Sequence, residues 1–281
     1  MEFRGPAAHP NRRQEPVARP TSVTASTLRL RRRICETCLS MLARLWLPLL
    51  GVAPFAFAQN AALPAHEVLT YSIEWRLITA GKVRLEWQQA RASSQVNLKV
   101  ESIGLVSKLF RVEDSYQANL NQDGCAESTL FYSQEGNRQR ETRVTFDDHK
   151  ASYLERDRAK NAVLLAQDIE IPPCVHDVAG GLYFLRTLNL EPGHSVNVAV
   201  SDGKKSVIAK VEAQQREDVR TPEGVFHTIR YEAYLFYNVL YRRPAHLNIW
   251  LTDDRRKLPV EIRVRMQFAI GTINLLLEKH E

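Results

Sequence analysis

Acid-base chemistry needs a titratable pair held in a fixed frame, and His176 followed by Asp177 is the best case in this chain. The two come just after Pro172 and Pro173, at the entrance of a helical stretch, where an imidazole and a carboxylate can act together. The plainer reading is an aspartate that caps the helix beside a surface histidine. A second cluster, Asp253, Asp254, Arg255, Arg256 and Lys257, is either a polar recognition loop or a charged turn between Trp250 and Leu258. Tyr183 and Arg186 stand three apart on one helix face, so Arg186 can meet an anionic headgroup inside the fold. Its competing role is an ion pair with a carboxylate such as Glu74 or Glu261.

Other chemistry is missing from the sequence. There is no GxSxG elbow, HExxH helix, GxxxxGK[ST] loop or GxGxxG turn. Gly203, Lys204, Lys205 and Ser206 echo a phosphate loop without its first glycine and read as a charged hairpin tip. His66, His149, His176, His194, His227, His246 and His280 show no ligand spacing, so neither a metal nor another cofactor is expected. Cys125 and Cys174 can pair in an oxidising compartment if their Cα atoms lie within about 7 Å. Two separate buried thiols are the simpler expectation.

The elements that must position these residues are mostly strands. Leu69, Tyr71, Ile73, Trp75 and Leu77 alternate with polar residues, as do Val83, Leu85 and Trp87, then Val96, Leu98 and Val100. Leu258 to Phe268 repeats the pattern. Trp75 is expected to point inward. Near the end, Leu276 has the opposite parity to Ile273, Leu275 and Leu277, so it should be covered by another element, a partner or an amphiphile. Turns are expected at Ala80-Gly81, Asp123-Gly124, Glu135 to Asn137, and Asp202-Gly203. One good helix is expected, from Asp177 to Leu190, ended by Pro192 and Gly193.

A helix of about 14 residues is roughly 21 Å long, while strands sit about 4.8 Å apart, so it can shield only a few strands. The fold class that follows is mainly β: a strongly curved antiparallel sheet, barrel or half-barrel, with one main α-helix packed against it.

Charge and hydropathy divide the chain near residue 58. Residues 1–58 hold nine Arg and three acidic residues, which leaves 29 basic and 29 acidic residues in the rest. The body is therefore neutral, and no basic stripe is left to follow nucleic acid. Arg31 to Arg33, an apolar run from Leu45 to Phe57, and Ala56-Phe57-Ala58 read as a signal peptide cleaved before Gln59. That run is shorter than the roughly 20 residues of a membrane-spanning helix. Translation starting at Met41 would give a compact leader. Cys35 and Cys38 fall inside the leader and carry no site. Residues 59–281 contain no linker or repeat and are expected to form a single β-rich periplasmic domain.

Tyr71 and Trp75 with Ala80 and Gly81, then Pro172, Pro173, Asp177, Leu182, Tyr183, Leu185 and Arg186, form an ordered set that continues near the C-terminus. There Trp250 to Asp254 and Leu258 to Val260 complete it. Together they resemble the bacterial exported family catalogued as domain of unknown function 3108. The chain departs from that pattern at Ala179 and Gly180, where a larger or hydroxyl residue is expected. The resemblance implies export and a β-rich fold, with no established activity. The final strand, acidic turn, Leu-Pro and strand are also similar to the end of periplasmic lipoprotein carriers of the LolA and LolB type, a likeness of fold alone. The leading expectation is a periplasmic carrier or sensor of an apolar or amphiphilic molecule, with a lipid or an envelope protein as partner. The alternative is a structural or assembly factor of the cell envelope, and a hydrolase built on His176 and Asp177 is a distant third.

Overall fold

The structure, a computed structural model, describes residues 63–76, 78–234, 245–266 and 271–281. The readings of the leader, of Met41 and of cleavage after Ala58 concern residues outside that range, as do those of Leu77, Phe268 and Ile270.

Two meanders build one antiparallel sheet. The first runs β1 (His66–Trp75), β2 (Ile78–Gln89), β3 (Ser93–Ser102), β4 (Glu113–Asn121), β5 (Ala126–Glu135), β6 (Arg138–Phe146), β7 (Lys150–Asp157) and β8 (Ala162–Glu170). The second runs β9 (Ser195–Ser201), β10 (Ser206–Thr221), β11 (Gly224–Ala233), β12 (Ala245–Thr252), β13 (Pro259–Met266) and β14 (Thr272–His280). They join where β1 pairs with β14, so the spatial order is β8 to β1, then β14 back to β9. Within each meander sequence neighbours pair antiparallel, most of them across short turns.

The sheet is open, with β8 and β9 at its edges, and it is strongly curled. Register shifts interrupt β1, β4, β7, β10 and β12, and such bulges bend strands. Gly203, in the β9–β10 turn, lies so close to β6 that a Cβ there would fall 2.5 Å from a methyl of Val144. Opposite sides of the sheet therefore meet across the concave face.

The chain must travel from the β8 edge to the β9 edge, and α2 (Val178–Thr187) carries it through the concavity. Just before the helix, Val175 O accepts from Ala126 N on β5, while His176 N donates to Ala199 O on β9 at 2.8 Å. A disulfide joins Cys125, at the β4–β5 turn, to Cys174, with Cα atoms 4.8 Å apart. The simpler expectation of two separate thiols is thus overturned: the connector crosses directly over the turn before β5.

Several boundaries differ from the sequence reading. The helix stops at Thr187 rather than Leu190, since Leu188 is extended and packs with Leu190 against the β9–β12 core. A second short helix, α1 (Gly104–Leu109), links β3 to β4 and buries no residue, so it left no periodic signal. Ala80 and Gly81 do not form a turn; they lie inside β2. Gly81 is required there for another reason: a Cβ would stand 2.5 Å from Glu101 O on β3. Trp75 is only half-buried, at the end of β1 with the Arg76 guanidinium over its ring. Leu276 is half-buried opposite Ser72 and Glu261. On that outer face Trp250 is covered by the chain itself: Glu217 on β10 accepts from its indole at 2.7 Å, and Val219 packs in the same cluster.

Candidate ligand-binding cavity

Alternation along the strands sends one apolar row from each into the concavity. Trp87, Tyr71, Leu69 and Tyr183 lie in a cluster that fills the β1–β7 half, and Ile229, Tyr231 and Leu251 in one that fills the β9–β12 half. The short helix cannot fill the space between them. An apolar cavity of about 380 Å³ remains, lined by Leu85 and Leu98, by Val200 and Val211, and by Ile249 and Ile262 among others. Ala179, Gly181 and Leu182 of α2 form part of its wall.

The polar groups on this wall are already partnered. Tyr71 Oη donates to Pro259 O at 2.8 Å, and Tyr116 Oη donates to Asp177 Oδ1 at 2.8 Å. Asp177 is the N-cap of α2 and accepts from Ala179 N at 2.9 Å and Gly180 N at 3.2 Å. Burial raises its pKa, while the bonds from Tyr116, Gly180 and Ala179 pull the other way. The wall thus offers apolar contact and nothing for a polar ligand to pair with.

His176 and Asp177 are adjacent but face different work. His176 is buried, stacks on Phe184 with ring centroids 4.2 Å apart, and places Nδ1 2.8 Å from Gly124 O. With a carbonyl as partner, Nδ1 is the donor. No hydroxyl or thiol pairs with this ring among the described residues.

Arg186 is fully buried and bidentate on Glu67, at 2.5 and 2.8 Å, with a third bond of 3.2 Å to Arg256 O. Its partner is therefore Glu67 rather than Glu74 or Glu261. The guanidinium lies 5.0 Å from the Tyr183 ring, which stacks on Trp87 at 4.3 Å. Burial pushes the Tyr183 hydroxyl well up. Removing one member of such a pair costs about 3–5 kcal/mol because the other charge is stranded. Arg186 is spent on holding the C-terminal turn of α2 to β1.

Asp253 and Asp254 form a turn with partners of its own. Asp253 accepts from Arg216 at 2.7 Å, while Asp254 takes Thr252 Oγ1 at 2.7 Å and Arg256 Nη2 at 2.8 Å. Of the six residues singled out in the sequence, His176, Asp177, Tyr183 and Arg186 gather on or beside α2. Asp253 and Asp254 stay apart on the β12–β13 turn, and only Asp177 touches the cavity. Glu67 escaped the sequence reading, although its parity with Leu69 and Tyr71 marks it as inward.

One solved structure shares the fold. A β-barrel-like protein of domain of unknown function DUF1849 from Brucella abortus matches with a TM-score of 0.51 at 10% identity, covering 79% of this chain and 98% of its own. A candidate exported protein with a YmcC-like fold from Bacteroides fragilis matches at 8% identity and a TM-score of 0.30, over 79% and 99% of the two chains. A candidate lipoprotein from Parabacteroides distasonis gives 8% and 0.31 over the same shares. No curated protein matches the sequence. The profile of one family spans residues 70–278, and the chain belongs to that family, described as protein of unknown function DUF3108.

Proposed function

We propose that this protein is a periplasmic carrier or sensor that holds one apolar or amphiphilic molecule in the concavity of its sheet. The observation that carries the reading is the cavity of about 380 Å³. Ligand sites run from about 300 to 1,000 Å³ and are mostly apolar. A void of about 150 Å³ already takes benzene, so this one has room for a single alkyl chain or small ring system. A scaffold whose work is protein contact does not need such a space, whereas a carrier does. The leader's charge and apolar run support export to the periplasm.

Native mass spectrometry of the protein extracted from periplasm tests this. The expected spectrum carries one small adduct per chain, released on denaturation. A spectrum of bare protein alone, under conditions that preserve a known lipid carrier's cargo, contradicts it.

A further inference from the structure

Beside the apolar cavity lies a second chamber of about 410 Å³ whose lining mixes charged and hydroxyl side chains with apolar ones. Tyr116, Phe131 and Val178 line both, so the two spaces adjoin across a common wall. The remaining wall comes from β5, β6, β7 and the β9–β10 turn and includes Arg138, Arg140, Tyr153, Glu155 and Lys204. Arg140 shares its parity with buried Val144 and Phe146, and Glu155 shares its own with Tyr153. Of these charged residues only Glu155 is buried, and a charged side chain buried on the inward face of a sheet needs a reason, since desolvating it is costly.

The hydrogen bonds of Glu155 supply one. Glu155 Oε1 accepts from Arg140 Nη1 at 2.5 Å, and Oε2 accepts from Lys204 Nζ and from Tyr153 Oη, each at 3.0 Å. The Lys204 ammonium also lies 4.6 Å from the Tyr153 ring centroid. Burial opposes ionisation of Glu155, but the bonds from Lys204, Tyr153 and Arg140 outweigh it and lower its pKa. Two cations are therefore held by one anion.

The lining carries three cations, Arg138, Arg140 and Lys204, against three acids, Glu135, Glu155 and Asp202, so what it offers an anion is unspent N–H donors rather than a net positive charge. Asp202 Oδ1 is taken by the backbone N–H groups of Lys204 and Lys205, at 2.8 and 2.9 Å. Glu135 stands opposite Arg138 in the β5–β6 register and offsets that residue. A guanidinium has five N–H donors and an ammonium three. Arg140 and Lys204 each spend one on Glu155, and their side chains remain 44% and 40% exposed.

We infer that this chamber is a headgroup subsite for one anionic group, carboxylate or phosphate, on a single-chain amphiphile whose tail lies in the adjoining apolar cavity. The inference rests on the carrier reading and specifies its ligand. Arg140 and Lys204 bind the anion, and Glu155 positions them without competing for it, because both its oxygens are already engaged. The common wall of Phe131 and Val178 is where headgroup gives way to chain.

The test is displacement of the neutral fluorophore N-phenylnaphthylamine from the full mature chain by dodecanoate, dodecyl phosphate, dodecanol and dodecyltrimethylammonium. One of the two anions is expected to displace it at concentrations about tenfold or more below those of dodecanol, since a hydrogen bond to a charged group is worth at least that factor. Preference for dodecanoate assigns a free fatty acid, and preference for dodecyl phosphate assigns a phosphorylated lipid. The substitutions Arg140→Gln and Lys204→Gln together should abolish the preference and leave dodecanol binding unchanged. Should that pair fail to fold, Lys204→Gln alone, at a half-buried position, should still cut the preference severalfold. Equal displacement by all four compounds, or a preference that survives these substitutions, overturns the headgroup subsite while the cavity stands. A wild-type protein that binds no fluorophore overturns the carrier reading itself.

Discussion

Burial decides what the histidine at position 176 can do. Desolvation lowers its pKa, against the opposing pull of the Gly124 carbonyl and the Asp177 charge. The folded ring therefore resists protonation more than the unfolded one does. Its contribution to stability is intact above the unfolded value of about 6.5 and is lost as pH falls through the lower folded value. Melting curves should accordingly show wild type losing more than His176→Gln between about pH 7.5 and about pH 5.5; parallel losses would contradict this, since Asp177 is common to both proteins. Tryptophan gives a second residue-scale contrast. Trp87 is 3% exposed, stacked on Tyr183, and donates to Pro64 O at 2.9 Å. Truncating it to alanine should cost about 3–5 kcal/mol in urea unfolding. Trp75, half-buried at a strand end, should cost under about 2 kcal/mol; a reversed order would mean that the faces of β1 and β2 are misassigned. Single inward residues were legible wherever alternation was strict, as at Val83, Leu85 and Trp87. Glu67 was not, because a carboxylate on the inward row is read as exposed until its buried partner Arg186 is known.

At the scale of elements, α2 shows why propensity alone misleads. Its two adjacent glycines both weaken an isolated helix, yet their surroundings differ. A Cβ on Gly180 would fall 2.5 Å from Asp177 Oδ2 and 2.9 Å from a methyl of Leu120. Glycine at this position is therefore a packing requirement: the helix start passes hard against β4. On Gly181 a Cβ would meet only His176 Cβ, at 3.8 Å. Gly181→Ala should thus raise stability by up to about 1 kcal/mol, while Gly180→Ala should lower it despite the same gain in propensity. Thermal unfolding of the two variants decides, and equal effects would rule out the crowding argument. The cap at Asp177 and the turns at Asp123-Gly124, Glu135 to Asn137 and Asp202-Gly203 could be read beforehand because each rests on local chemistry. Gly81 misled for the opposite reason: its glycine answers the close approach of Glu101 O on β3, a contact distant in sequence.

At the scale of the whole molecule, the curved antiparallel sheet with one main helix followed from a covering argument, since one short helix cannot shield so many half-buried strands. Strand order was less accessible. The pairing of β1 with β14 joins the two ends of the described chain, and no local signal encodes a contact so distant in sequence. The cavity is a consequence of that order. Because β8 and β9 lie at opposite edges, the connector must cross the concavity, and α2 is too short to fill it. The void is therefore a property of topology and helix length together, which no single residue betrays. Ala209, fully buried on β10, borders it, so Ala209→Phe should fill the space without disturbing the sheet. Titration with N-phenylnaphthylamine measures the central claim most directly. Wild type should bind one fluorophore per chain saturably, and Ala209→Phe should bind about tenfold or more weakly with an equal or higher melting temperature. Unchanged binding in a folded Ala209→Phe protein, or no saturable binding in wild type, would contradict the account.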